Sequence, residues 1–352
     1  MRVAIIGAGG VGTAAARFVA KEGHEVDVYE QFEIFHAKGS SHGTSRIIRK
    51  AYPDPTYVSL MNEAYPLWRA LQDEAGTELF REIGFAFIGS PNHQWYRDTK
   101  RTMQELHIPH WEMGAVDAMK RFGGLHLDPD ESAVLQPDAG FLFADRVLEA
   151  NVRLARANGA KFHERRQVSA TCKGVVNGEA YDAVLLTQGA WIRQHVDLPV
   201  SVRLQRFGYF EAALGPGVPT WVEASDDLFY GFPDYGRGFK VGQHHYGPEV
   251  DPSDTTHPRR DDGSGDRLED AARRRLGATR RRGDLETCLY TVAPREDFLI
   301  GSLPSLVPTY FVSACSGHGF KFTIWFGWLL NEILAGRKRP EDYARFYVSP
   351  ST

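Results

Sequence analysis

Four basic side chains of this chain give the first hint of chemistry. Lys321 sits inside the apolar run "SGHGFKFTIWFGWLLNEILAG", and Lys240 lies among aromatics and glycines in "FYGFPDYGRGFKVGQHHYG". Arg46 and Arg49 stand three residues apart in "SSHGTSRIIRKAY", with His42 four residues before Arg46. A guanidinium is a planar fork that fits a carboxylate or the polar edge of a flavin. An ammonium forced among aromatics presents positive charge to a carboxylate or to a reactive oxygen species. Each has an ordinary alternative: loop arginines on a surface, a strand lysine facing water, a helix lysine that snorkels outward.

The second signal is glycine. Gly7, Gly9 and Gly12 form G-x-G-x-x-G directly after the β-branched run Val3 to Ile6 and before an Ala-rich helical segment. The first glycine permits a tight turn, the second lets backbone approach a pyrophosphate, and the third allows close helix–strand packing, with helix N–H groups aimed at the phosphates. Glu30 ends the next strand, "HEVDVYE", where an acidic residue accepts hydrogen bonds from ribose hydroxyls. This reads as dinucleotide binding and does not separate NAD from FAD. A second cluster, Gly317, His318 and Gly319, precedes a long apolar helix. It aims backbone N–H groups and a positive helix end at one point, which suits an anionic reduced flavin ring or is simply a turn ahead of a core helix.

Cys288, in "ETCLYTVAPREDF", is a cysteine among polar residues close to Tyr290. With Cys172 and Cys315 it makes an odd count too small for a disulfide framework, which points to a reducing, cytoplasmic compartment. No Cys–His hydrolase signature surrounds Cys288 or Cys315. His244 and His245 are neighbours on a strand and point to opposite faces, so no metal site is expected.

Elements must bring these residues together. At 352 residues, 42% hydrophobic and 24% charged, the chain has material for one large core or two modest ones. A net charge of -4 gives no pull toward nucleic acid or anionic membrane. The N-terminus lacks a secretory cleavage pattern, and the apolar stretch from Phe322 is too short for a membrane span and reads as a buried helix. The opening strand–turn–helix–strand is a βαβ unit. Amphipathic helices from about Pro53 to Gly140 interrupt it, and α/β patterning resumes up to a strand ending at Gly189. Phe207 to Glu211, Leu228 to Phe232 and Phe239 to Gln243 read as antiparallel strands. Arg259 to Asp284 alternates both signs of charge and reads as a solvated helix with flanking loops. The expected class is therefore α/β and α+β. A discontinuous Rossmann-like FAD-binding domain over 1–50, 140–197 and 285–350 is joined to a substrate domain over 51–139 and 198–284, built on a mostly antiparallel sheet.

The glycine motif at Gly7, "GSSHGTSRIIRKAY", "LFYGFPDYGRGFKVGQHHYG", "ETCLYTVAPREDF" and "CSGHGFKF" follow in an order and spacing that resemble the monomeric sarcosine oxidase family. This is the branch of the D-amino acid oxidase superfamily that includes N-methyltryptophan and pipecolate oxidases, and the resemblance covers nearly the whole chain. It implies FAD bound through a thioether from Cys288, the cysteine of the C-x-Y-T stretch. It implies His42 and Arg46 near the flavin ring, Val168, Gly189, Gly317, His318 and Gly319 at the cofactor, and Arg49 and Lys321 on the substrate carboxylate. Lys240 resembles the oxygen-activating lysine, and Tyr230, Tyr290 and His244 resemble cavity-lining residues.

The implied reaction is oxidation of the C–N bond of a small N-methyl or cyclic amino acid to an imine, with O2 reduced to hydrogen peroxide, by a monomer. The same fold also serves primary amino acids or a dehydrogenase passing electrons to a protein. A nicotinamide dehydrogenase or a non-catalytic flavin-binding module are readings of other classes. Two features depart from the family pattern: a loop rich in Asp and Arg over Asp251 to Asp284, and Trp221 where a smaller pocket-lining side chain is expected.

Overall fold

The structure is a computed structural model that describes residues 1–168, 173–244, 247–254, 263–313 and 316–349. Cys172, Cys315 and His245 lie outside the described residues. The strand Arg2–Ile6 sits inside a six-stranded sheet, paired in parallel with Glu25–Tyr29 on one side and Ala183–Leu186 on the other. Lys161–His163 extends the sheet beyond Glu25–Tyr29, and Thr309–Ser313 then Leu299–Ser302 extend it beyond Ala183–Leu186; only that last pair is antiparallel. Val3 to Ile6 is buried on both faces, which is why the strand reads as a continuous apolar run rather than an alternating one.

The helix Gly10–Lys21 follows at once and packs between the helices Ala144–Ala157 and Thr323–Leu334. Close approach explains two glycines. A Cβ on Gly12 would lie 1.9 Å from the Gly7 carbonyl oxygen, and one on Gly327 would lie 2.6 Å from Ala14 Cβ. This is the Rossmann-like unit expected from the glycine motif.

An eight-stranded sheet forms the second layer, in the order Arg280–Val292, Ser201–Glu211, Phe239–Gln243, Phe229–Phe232, Thr220–Glu223, Phe85–Gly89, Ser132–Gln136, Trp111–Gly114. Its pairs are antiparallel except Thr220–Glu223 with Phe85–Gly89. Arg280 to Asp284, expected as loop, is strand, and the boundary drawn between residues 284 and 285 falls inside Arg280–Val292. A small antiparallel sheet joins Arg46–Ile48, Gly140–Leu142 and Phe80–Glu82. One continuous core, including Val3, Trp68, Phe85 and Phe322, runs through both layers. Trp68, on the helix Pro55–Ala75, donates its indole N–H to the Lys321 carbonyl at 2.8 Å and so ties that helix to the second glycine turn.

The charged segment is less solvated than its composition suggests. Its helix, Ser264–Leu276, buries Leu268, Ala271, Ala272 and Leu276, an i, i+3, i+4, i+8 face. Arg275 is buried with them and reaches Glu131 at 2.6 Å and Glu223 at 2.5 Å. Among the described residues no helix is long and apolar enough to cross a membrane, and Thr323–Leu334 is a buried helix as expected.

Candidate active site

A cavity of about 470 Å³ runs along the seam between the two layers, from the Gly7–Gly9 turn to Cys288, Lys240 and Lys321. At its glycine-rich end Gly7 has a φ of 103°, and a Cβ there would meet the Thr187 carbonyl oxygen at 2.7 Å. Gly9 faces the cavity, whereas Gly12 lies beneath it in the helix–strand contact. Buried Glu30 accepts the Ala8 N–H at 2.9 Å and the Phe32 N–H at 3.0 Å. Burial pushes its carboxyl up, but hydrogen bonds from His36, Ala8 and Phe32 outweigh this and hold it below its ordinary value. Val168 and Gly189 line the same end, with Gln188 between them and the turn.

Toward the middle, the Arg46 guanidinium donates to the carbonyls of Ser45 at 2.8 Å, Ser40 at 2.8 Å and His42 at 2.6 Å, which fixes its orientation. Burial, reinforced by Arg46 and Lys240, pushes the His42 imidazole down to about 4, so it is neutral. Lys240, only 3% exposed, donates to the Ser45 carbonyl at 3.4 Å and stands 4.1 Å from the Phe207 ring centre. Burial and then Arg46 push its ammonium down to about 7. Cys288 is buried on the strand Arg280–Val292, opposite Gln205, and faces the cavity with Tyr230.

At the far end Arg49 and Lys321 are both buried, so neither the surface-arginine nor the snorkelling alternative holds. Neither has a carboxylate partner among the described residues. The Arg49 guanidinium carbon lies 4.0 Å from the Tyr52 ring centre and 5.2 Å from that of Phe85. Lys321 donates to the Tyr52 hydroxyl at 3.1 Å and to the His318 carbonyl at 2.9 Å. Burial and the neighbouring Arg49 push the lysine well down, burial and Lys321 push His318 down to about 3, and burial raises Tyr52 to about 12. Gly317, at φ 76°, lies against His244 and Tyr290; a Cβ there would fall 2.4 Å from His244 and 2.5 Å from Tyr290.

The fold therefore gathers every candidate catalytic and cofactor-binding residue except Gly12 around the cavity. It also brings in residues that sequence reasoning missed: Tyr52, Gln188, Glu296, Trp95 and Val222. Tyr52 had a weak signal, lying three residues beyond Arg49. Glu296 had none, because its position depends on an unusual turn. Trp221 corrects the expectation placed on it: its side chain is fully buried in the core on the other face of the second sheet, and its neighbour Val222 faces the cavity, as strand alternation requires. Among the described residues no cluster of metal-ligating side chains occurs.

Two buried polar atoms in this wall, His42 Nε2 and Gln188 Oε1, have no hydrogen-bond partner among the described residues. Together with the glycine-rich turn and Glu30 at one end, they fit a polar dinucleotide lying along the seam. A parallel sheet that opens through such a turn onto a long cavity lined with buried cations defines a dinucleotide-dependent oxidoreductase. The chain belongs to the FAD dependent oxidoreductase family (DAO), whose family model matches residues 2–333. It is similar to monomeric sarcosine oxidase from Bacillus sp. (strain NS-129), with 28% identity across 99% of this chain and 96% of that one. It is also similar to peroxisomal sarcosine oxidase from Mus musculus, with 30% identity across 98% and 95%. Among solved structures, NikD, an unusual amino acid oxidase essential for nikkomycin biosynthesis, superposes with a TM-score of 0.85 at 26% identity, covering 99% of this chain and 98% of that one.

The chain is thus an FAD-dependent oxidoreductase, and the mixed fold class read from its sequence stands. The cytoplasmic expectation does not. The Mus musculus relative and its Homo sapiens counterpart are peroxisomal by name, so a reducing thiol count does not fix the compartment within this family.

Proposed function

We propose that the chain oxidises the C–N bond of a small carboxylated secondary amine, N-methyl or cyclic, to an imine that then hydrolyses, while O2 is reduced to hydrogen peroxide. Relatives named as sarcosine oxidases and NikD as an amino acid oxidase support the reaction class. The observation that carries the substrate class is the pair Arg49 and Lys321, buried at the cavity's end without a carboxylate partner among the described residues. Burial and Arg49 disfavour the charged form of Lys321 when the site is empty, and a ligand anion that pairs with it and with Arg49 favours that form.

FAD, when bound, supplies the acceptor for the two electrons removed from the amine. Gly7, Gly9, Glu30 and Gln188 would hold its dinucleotide, with Gly12 shaping the turn from beneath. His42, Arg46, Val168, Gly189, Gly317, His318 and Gly319 would surround the rest. The FAD unit then comprises 1–50, 140–197 and the residues of 285–350 that follow the strand Arg280–Val292, and the substrate unit the remainder. Arg49 and Lys321 fix the carboxylate and so restrict the amine to one orientation. Tyr52 orders Lys321, while Tyr230, Tyr290 and His244 wall the reacting end and exclude water. Lys240 places a buried positive charge where negative charge develops on oxygen. Cys288 is the attachment point for a covalent flavin, and the protein acts as a monomer.

Substrate recognition is tested by titrating the flavoprotein with a non-oxidisable carboxylate, (methylthio)acetate, and following the visible spectrum. Arg49→Ala and Lys321→Met are each expected to weaken binding about 10- to 100-fold, the range for loss of a charge-assisted hydrogen bond. Unchanged affinity in both would contradict the carboxylate site. Attachment is tested by acid precipitation: colour stays in the wild-type pellet and leaves the Cys288→Ser pellet, whereas release of colour from wild type would rule out a covalent bond.

A further inference from the structure

We propose that Glu296 recognises the positively charged nitrogen of the incoming substrate, so that the site reads a zwitterion, with the carboxylate on Arg49 and Lys321 and the ammonium on Glu296. This rests on the carboxylate reading above and adds the other half of the substrate.

The observation behind it is a strained turn. Arg295 and Glu296 are consecutive non-glycine residues in the left-handed region, with φ of 56° and 59°. Such conformations persist only where the surroundings over-determine them. Here they do. Asp297, 3% exposed, accepts the Tyr57 hydroxyl at 2.8 Å and the Arg345 guanidinium at 2.8 Å and pairs with Arg295 at 3.2 Å. The Glu296 carbonyl lies 3.0 Å from His318 Nε2. With its backbone pinned on both sides, Glu296 delivers a half-exposed carboxylate to the cavity wall, 3.9 Å from His244 Nε2.

Charge gives that carboxylate a task. Arg46 and Arg49 stand at the reacting end of the cavity beside the lysines Lys240 and Lys321, a basic lining that attracts a carboxylate and disfavours a protonated amine. A small amino acid arrives with both charges. Of the other acidic residues on the wall, Glu30 lies at the glycine-rich end and Asp54 at the start of the helix Pro55–Ala75. Glu296 is placed for the ammonium: Lys321 donates to the His318 carbonyl at 2.9 Å, the His318 ring contacts the Glu296 backbone carbonyl, and the Glu296 carboxylate stands beside His244 on the cavity wall.

The test compares two ligands that differ in charge at the nitrogen position, the neutral thioether (methylthio)acetate and the cationic (dimethylsulfonio)acetate, by visible-spectrum titration of the flavoprotein. Glu296→Gln is expected to weaken the sulfonium ligand at least tenfold and leave the thioether within twofold, with Glu296→Asp between. An unchanged sulfonium affinity, or an equal loss for both ligands, overturns the inference. A thioether that fails to bind the wild type overturns the carboxylate reading itself, and this inference with it.

Discussion

Lysine 240 shows how much a single residue can carry. Its ammonium is buried against Phe207 and beside Arg46, and burial first, then Arg46, pushes it from the ordinary 10.5 to about 7. Between those values the unfolded chain holds a proton that the folded lysine has lost, so stability from this group rises with pH across that window and is poorest below about 7. Lys240→Met removes the effect. The variant should be more stable than wild type by its widest margin at pH 6, and the margin should shrink by up to about 1.4 kcal/mol per unit above the folded pKa. Thermal unfolding of both proteins from pH 6 to 9 checks this; a margin that is flat or grows with pH contradicts a depressed pKa. Lys240 and Lys321 were legible in the sequence because a lysine inside an aromatic or apolar run announces itself. Tyr52 and Glu296 were not, since the first matters through Lys321, far along the chain, and the second through two backbone dihedrals that no residue type signals.

At the scale of elements, glycine and buried charge set the geometry. Gly317 is the contact point between the second glycine turn and the pair His244 and Tyr290. Gly317→Ala should displace both side chains and strain a positive φ, weakening (methylthio)acetate binding at least tenfold while FAD is retained; unchanged binding would show that the turn relaxes without consequence. The helix Ser264–Leu276 grips the second sheet through Arg275, which pairs with Glu131 and Glu223 next to cavity-lining Val222. Arg275→Met leaves Glu131 without its buried partner and Glu223 with Arg274 alone, and should cost about 3 kcal/mol, read from the urea midpoint; a change below about 1 kcal/mol would mean the carboxylates find water. The glycine-motif βαβ unit could be read from local pattern because each of its signals is adjacent in sequence. The end of the long strand Arg280–Val292 could not, because its charged residues resemble the solvated segment before it and only pairing with Ser201–Glu211 makes them strand. Trp221 failed for a different reason: counting along a motif placed it near the pocket but could not say which face its side chain took.

At the scale of the whole molecule, two sheets on one continuous core leave a seam, and that seam collects residues scattered from Gly7 to Lys321. Neither layer holds the site alone. The glycine-rich end belongs to the parallel sheet and Lys240 and Cys288 to the antiparallel one, while Arg49 directly follows the strand Arg46–Ile48 and Lys321 lies in the turn before the helix Thr323–Leu334. Order along the chain therefore announced the dinucleotide end, while at the reacting end only the two lysines announced themselves, and the tyrosines and His244 were legible through the resemblance of widely separated motifs. The most direct test of the account is to add N-methylglycine to the purified flavoprotein without oxygen and then admit O2. The account predicts that the yellow colour bleaches on adding the amine and returns with oxygen, with one hydrogen peroxide formed per amine oxidised. Colour that persists with N-methylglycine and with cyclic secondary amino acids, or bleaches and returns without peroxide, would contradict an amine oxidase of this class.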